Sequence, residues 1–350
     1  MNPQDWQKDI SFLLKKAGIP CGEGFKVKPL QGGVSSDIVL ISLNGNKALH
    51  FCAKRALPKL KVKDDWFAPI ERNRFEMAWL TCADKILPKI APKVLAQDEE
   101  KGIALIEYLA PEKYVLWKDK LLAGNVDPND AKKIGTALGT IHNETLQNKE
   151  LAAHFSTDAF FNSLRLEPYL KTLISRYPDL SAHLNAIIKT TAETKIALVH
   201  GDISPKNIFI EKSTGQPVFI DAECAWYGDP IFDIAFCLNH LLLKALHLPA
   251  SSTELLASFE ILYQSWLVVM PPSMQTELAA RTAALLPALF LARVDGKSPV
   301  EYLNESTRET VRSLGLRELR NPGNLVTSLS QKIKSIHSQG PRKNSTKTHD

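Results

Sequence analysis

Leu198-Val199-His200-Gly201-Asp202-Ile203-Ser204-Pro205-Lys206-Asn207-Ile208-Phe209-Ile210, followed by Val218-Phe219-Ile220-Asp221-Ala222-Glu223, is the stretch that decides the fold. An apolar strand delivers Asp202, Asn207 follows five positions later, and a second apolar strand delivers Asp221 fourteen positions after that. Transfer of a phosphoryl group from ATP needs a carboxylate to hold the attacking hydroxyl, and an amide and a carboxylate to hold magnesium. The spacing therefore implies Asp202 as the catalytic base, with Asn207 and Asp221 as the Mg2+ pair. Glu223, two residues beyond Asp221 on an extended segment, faces the same side and is expected to add a further metal oxygen.

The same Asp, Asn and Asp spacing occurs in protein kinases. No Asp-Phe-Gly is present and no Ala-Pro-Glu follows Asp221 to anchor an activation loop, which argues against protein-kinase activity. His200 is expected to brace the loop through a backbone hydrogen bond. Asp233, in Asp229-Pro230-Ile231-Phe232-Asp233, is expected to open a helix and brace the same loop.

Upstream, the pattern predicts a small β-rich lobe. A helix over 4–17 precedes strands at Phe25–Leu30, Asp37–Ile41 and Leu49–Lys54, then a helix from Glu71 to Cys82 and strands at 93–97 and 102–108. Lys54 ends an apolar strand, where its amine can reach the α- and β-phosphates of ATP, and Glu76 on the following helix is its expected partner. The turn carrying Gly32, Gly33 and Ser35 offers backbone N–H groups and hydroxyls to phosphate. Beyond Ala110-Pro111 the periodicity turns helical, over 128–145, 157–176, 179–194, 230–246, 252–269 and 275–292. The expected fold is α+β and bilobal, protein-kinase-like, with an antiparallel β-sheet lobe over 1–110 and a larger, mainly helical lobe over 111–330.

Residues 331–350 hold Lys332, Lys334, Arg342, Lys343 and Lys347 among small polar residues and read as a basic flexible tail. The 350 residues carry a net charge of +5, and with no folded basic motif or aromatic interleaving they imply no nucleic-acid partner. Five scattered cysteines without a CxxC pair argue against a zinc cluster or disulfide framework. The start of the sequence has no signal-peptide pattern, and the richest apolar run, 283–292, is too short for a membrane span. A cytoplasmic protein with no membrane partner is the expectation. Gly296-Lys297-Ser298 ends like a P-loop, but Leu291 stands where the first glycine belongs, so a turn is expected there. Arg293, just before it, is expected to face the cleft.

The His200–Glu223 stretch resembles the aminoglycoside phosphotransferase and choline kinase-like superfamily, which has His-Gly-Asp where protein kinases have His-Arg-Asp. Ala53-Lys54-Arg55-Ala56-Leu57-Pro58 with Asp65-Trp66, the Asp221-Ala222-Glu223 triplet, and Cys224-Ala225-Trp226-Tyr227-Gly228-Asp229-Pro230 look like 5-methylthioribose kinases and their relatives. The resemblance implies Asp202 as base, Asn207 and Asp221 on magnesium, Lys54 on ATP, and Ile106-Glu107-Tyr108-Leu109 as the adenine-binding hinge. It also implies arginines on a sugar, for which Arg293, Arg312 and Arg317 are the candidates. The chain departs from those kinases in having Asp-Ala-Glu for Asp-Pro-Glu and in keeping Asn207.

The reading is an ATP- and Mg2+-dependent kinase for a hydroxyl of a small polar metabolite of sugar or amino-alcohol type, with Trp226 and Tyr227 expected in the acceptor pocket. Two alternatives stay open: an aminoglycoside phosphotransferase, or a catalytically silent kinase-like binding protein. The residues fix neither the acceptor nor the oligomeric state.

Overall fold

The computed structural model describes residues 3–22, 24–30, 33–45, 49–61, 66–323 and 325–338. Gly32 and Asp65 lie outside them.

Helix α1 (Pro3–Lys16) presents Trp6, Ile10, Leu13 and Leu14 at intervals of three to four residues, one apolar stripe. The stripe seals one face of a five-stranded antiparallel sheet against Val39, Ile41, Leu43, Ala53, Ile103 and Leu105. The strands are β1 (Phe25–Pro29), β2 (Ser36–Leu43), β3 (His50–Ala56), β4 (Val94–Asp98) and β5 (Ile103–Glu107), in the order β1-β2-β3-β5-β4. Helix α2 (Arg72–Ile86) links this lobe to the rest of the molecule. Its Met77, Trp79, Leu80 and Ala83 join the large core of the second lobe, and Trp79 meets the His200 ring edge to face with centroids 4.6 Å apart.

The second lobe opens with β6 (Tyr114–Leu116), α3 (Trp117–Leu122), α4 (Pro128–Glu144) and α5 (Lys149–His154). The helix expected over 157–176 is broken into α6 (Asp158–Phe161), a π-helical stretch Asn162–Lys171 and α7 (Thr172–Arg176). Pro168 lies within that stretch; it has no N–H to donate and its ring displaces the preceding carbonyl, so regular α-helix cannot run through. Next come α8 (Ser181–Glu193), β7 (Ala197–Val199), β8 (Ile208–Glu211), β9 (Pro217–Phe219) and β10 (Trp226–Gly228). β6, β8 and β9 form one small sheet and β7 pairs with β10, so the helical lobe carries more strand than the two segments expected.

Helices α9 (Ile231–His247), α10 (Ser252–Leu267), α11 (Pro272–Asp295), α12 (Glu305–Arg320) and α13 (Ser328–Ser338) complete the fold. α4 lies hard against α10 because Gly135 and Gly139 have no side chain: a Cβ on Gly135 would stand 2.3 Å from the Leu262 carbonyl oxygen. α13 corrects the expected tail. Leu329 and Ile333 are buried on its inner face, so residues 331–338 are part of the packed lobe. Residues 339–350 lie outside the described chain. Among the described residues, no helix is long and apolar enough to cross a membrane.

Candidate active site

β7 runs out at Val199, and the chain then turns through His200, Gly201 and Asp202 under tight constraint. Asp233, in the first turn of α9, accepts from the backbone N–H of His200 at 2.7 Å with Oδ2 and from that of Gly201 at 2.8 Å with Oδ1. The turn needs glycine. Gly201 has φ +79°, and a Cβ there would lie 2.4 Å from the Cys224 carbonyl oxygen. The His200 ring bonds the Ile220 carbonyl oxygen through Nε2 at 3.0 Å, and the Ile220 N–H donates to the Asn207 carbonyl oxygen at 3.0 Å. The residue before Asp221 is thereby tied to both ends of the His200–Asn207 loop. Asp221 itself has φ +66°, a left-handed conformation that costs a non-glycine residue on the order of 1–3 kcal/mol and persists only where its surroundings enforce it.

Asp202 is 3% exposed. Its Oδ2 accepts from Asn207 Nδ2 at 2.9 Å and lies 3.0 Å from Arg165 Nη2 and 3.1 Å from Lys206 Nζ. All three partners crowd one oxygen, which leaves Oδ1 for another donor. Burial alone would raise the Asp202 carboxyl, but Arg165 and Lys206 override it and hold the group below its ordinary value. Asn207 commits its NH2 to Asp202, so its carbonyl oxygen is the atom left for a cation.

Lys54 lies on β3 and is buried between Glu76 on α2, 2.6 Å from its Nζ, and Asp221, with which it also pairs. Burial would strip its proton, yet the Asp221 and Glu76 carboxylates hold it charged. Burial pushes Glu76 up to about 7 against the pull of Lys54, while Lys54 and Lys206 outweigh burial at Asp221 and keep it ionised well below the carboxylate range. An amide oxygen and an ionised carboxylate lining one cleft are a donor set that suits Mg2+, which takes one or two protein oxygens and fills the rest with phosphates and water.

Lys54, Glu76, Lys206, Asn207 and Asp221 line a cleft of about 480 Å³ that also takes in Gly33, Ser35, Ile106, Glu107, Tyr108 and Leu109, a size suited to a nucleotide-like ligand. Asp202 is not among the lining residues and meets them through Asn207 and Lys206. Gly32 lies outside the described residues. Glu223 is not among the residues lining the cleft, and its Oε2 accepts from Arg72 Nε at 3.0 Å.

Trp226 and Tyr227 are placed in the core instead of the acceptor pocket. Trp226 stacks on Phe161 at 4.1 Å and its Nε1 donates to Asp158. The Tyr227 hydroxyl accepts from the Asn148 N–H at 2.7 Å and lies 3.0 Å from the Thr145 carbonyl oxygen. Adjacent on the strand, the two side chains point to opposite faces, and both are buried because β10 is covered on both sides. Arg293 donates to the Tyr169 hydroxyl at 3.0 Å and to the Ser298 carbonyl oxygen at 2.5 Å, which closes Gly296-Lys297-Ser298 as a turn. Arg312 is taken up by Asp295 and Glu309, and Arg317 lies in a surface groove between α12 and α13.

Two arginines escaped the sequence reading. Arg165, on the π-helical stretch, reaches Asp202 and donates to the Gly201 carbonyl oxygen. Arg72, 1% exposed, donates to the carbonyls of Ala68, Pro69, Ser35 and Leu57 as well as to Glu223. No local motif marks either; the one available signal is an arginine among apolar residues at the edge of a helix.

The model of the Phosphotransferase enzyme family matches residues 26–264, more than half of the chain. This protein belongs to that family. Over 225 residues it is 29% identical to the methylthioribose kinase of Yersinia pseudotuberculosis, a match that covers 56% of this chain and 54% of that one. The chain thus spans about half the length of that curated relative. Among solved structures, a choline kinase from Cryptosporidium parvum is similar with a TM-score of 0.53 and 14% identity, over 95% of this chain and 99% of that one. An ethanolamine kinase from Plasmodium vivax is similar with a TM-score of 0.52 and 15% identity, over 83% and 82%. Both likenesses are of fold, and they bear out the bilobal, protein-kinase-like architecture. The phosphotransferase family also meets the superfamily resemblance carried by His200–Glu223.

Proposed function

We propose that this phosphotransferase-family chain is an ATP- and Mg2+-dependent kinase that phosphorylates a hydroxyl of a small polar metabolite. The observation that carries the reading is the asymmetry of Asp202: one carboxylate oxygen is saturated by Arg165, Lys206 and Asn207, and the other is left for a hydroxyl.

ATP takes the cleft, its adenine against the hinge 106–109 and its phosphates beside Lys54 and the turn carrying Gly33 and Ser35. Asn207 and Asp221 hold magnesium, which when bound neutralises charge on the phosphates. Lys54, steadied by Glu76, contacts the α- and β-phosphates. Glu223, held by Arg72, ties the catalytic segment to the α2 end of the sheet lobe and stands at the edge of the metal site.

The acceptor hydroxyl donates to Asp202 Oδ1. Its oxygen forms the new bond to the γ-phosphorus as the bond to the β,γ-bridging oxygen breaks; ADP leaves and the hydroxyl proton passes to Asp202. A carboxylate held below its ordinary value is a weak base. Such a base suffices where the transition state is loose and the nucleophile keeps its proton until late, so orientation is the larger part of the role of Asp202.

ADP release measured against a panel of sugars, amino alcohols and aminoglycosides tests the proposal. One acceptor that drives ADP release in the parent and not in Asp202→Asn supports it. ADP release that no acceptor stimulates sinks it in favour of a silent binding protein.

A further inference from the structure

α9 is apolar almost throughout, yet it carries Phe236, His240 and Lys244 at four-residue intervals, on one face. Three polar atoms around that face are shielded from solvent and have no hydrogen-bond partner: His240 Nε2, Arg293 Nε and the Tyr302 hydroxyl. Lys244 is 2% exposed. Its ammonium has no hydrogen bond or ion pair among the described residues, and lies 5.1 Å from the centre of the Tyr302 ring. Buried polar groups usually find a partner, so three without one, set beside the Lys244 ammonium, call for a ligand.

The charges acting here are of one sign. Arg293, Lys244, Lys206 and Lys118 act on His240, and Lys118 and Arg293 act on Lys244, with the Cys237 thiol the single opposing group. No carboxylate is among them. Burial, reinforced by these cations, brings Lys244 down to about 7 and His240 well below its ordinary value. Keeping Lys244 and His240 protonated beside Arg293 without a counter-ion is costly, and an anion relieves it.

The set adjoins the catalytic Asp. Arg165, 3.0 Å from Asp202, has its guanidinium 5.7 Å from the Phe236 ring, which lies 5.4 Å from the His240 ring. Arg293 bonds the Tyr169 hydroxyl, and Arg165 lies 6.0 Å from the same Tyr169 ring. Lys118 and Lys206 line the nucleotide cleft.

We infer that His240, Lys244, Arg293 and Tyr302 form a subsite for an anionic group on the acceptor, a carboxylate or a phosphate, so that the acceptor is an anionic hydroxy compound. The inference rests on the phosphotransferase reading above and narrows it. A purely cationic amino alcohol or aminoglycoside meets only repulsion there.

Calorimetric titration of the full chain with glycerate, glycerol 3-phosphate and glycerol reads the subsite without turnover. Binding of one of the two anions, with glycerol silent, is expected, and which anion binds distinguishes carboxylate from phosphate. Lys244→Met and Tyr302→Phe are expected to weaken that anion at least about tenfold, with ADP affinity unchanged. Equal heats for all three compounds, or Lys244→Met binding the anion as the parent does, would overturn the inference; a buried neutral lysine with no ligand would give that second result. Failure of the phosphotransferase reading is seen separately, as ADP release that no acceptor stimulates.

Discussion

Arg165 Nη2 lies 3.0 Å from Asp202 Oδ2, on the same carboxylate oxygen that takes Asn207 and Lys206. Because Arg165 also grips the Gly201 carbonyl, it fixes both the charge and the orientation of the proposed base. Arg165→Met is therefore expected to lower kcat by about 100-fold, the scale of a misplaced reacting group, while KM for ATP stays near the parent value. Arg165→Lys should recover only part of the loss, since an ammonium cannot reproduce the fork. Steady-state kinetics that show a raised KM for ATP with kcat unchanged would contradict this role.

Asp233 holds two adjacent backbone N–H groups of the catalytic loop. Asp233→Ala leaves both unpaired in a buried setting, at about 1–3 kcal/mol each. Urea denaturation is expected to show a loss of that order, and Asp233→Asn, which keeps one acceptor oxygen, a smaller one. Equal stability of Asp233→Ala and parent would mean that the loop is held by other contacts.

Gly201→Ala places a Cβ 2.4 Å from the Cys224 carbonyl oxygen at φ +79°. The backbone must shift, and Asp202 shifts with it. A lower Tm accompanied by loss of turnover is expected; an unchanged Tm would show that the turn tolerates a side chain.

Lys244 gives a pH signature. Lys118 and Arg293 face it together with His240, Tyr302 and the Cys237 thiol, and burial with those cations holds it at about 7. An unfolded lysine keeps its proton to about 10.4. Between these values the unfolded chain binds more protons, so stability rises with pH. Denaturant unfolding of the parent should show stability increasing from about pH 7 toward pH 10, and Lys244→Met should lose that increment. A parent profile parallel to the variant's would place Lys244 in water.

Much of the site was legible because it is built from strand ends and the loop between them. Asp202 and Asn207 precede and Asp221 follows one β-hairpin, β8–β9, at fixed offsets, and Lys54 with Glu76 follows from a strand leading into a helix, so short-range spacing predicts where they converge. Arg72 and Arg165 were not legible. Arg72 stands 151 residues from Glu223, and Arg165 reaches Asp202 from a helix whose register Pro168 alters; neither relation leaves a local pattern. Trp226 and Tyr227 follow Asp221-Ala222-Glu223 closely, which invited a pocket role, but β10 is buried on both faces and packs them into the core. The stretch from 331 looked like tail because its charges mask the Leu329 and Ile333 stripe that docks α13. His240 and Lys244 were visible as two polar residues four apart in an apolar helix, a signal that takes on meaning only once Arg293 and Tyr302 are seen beside them.

The central claim is that Asp202 receives the acceptor hydroxyl. Parent and Asp202→Asn are compared by ADP affinity and by acceptor-dependent ADP release with the same acceptor. The account predicts equal ADP affinity and a fall in turnover of about 10²–10⁴-fold; equal turnover in the two proteins would contradict it.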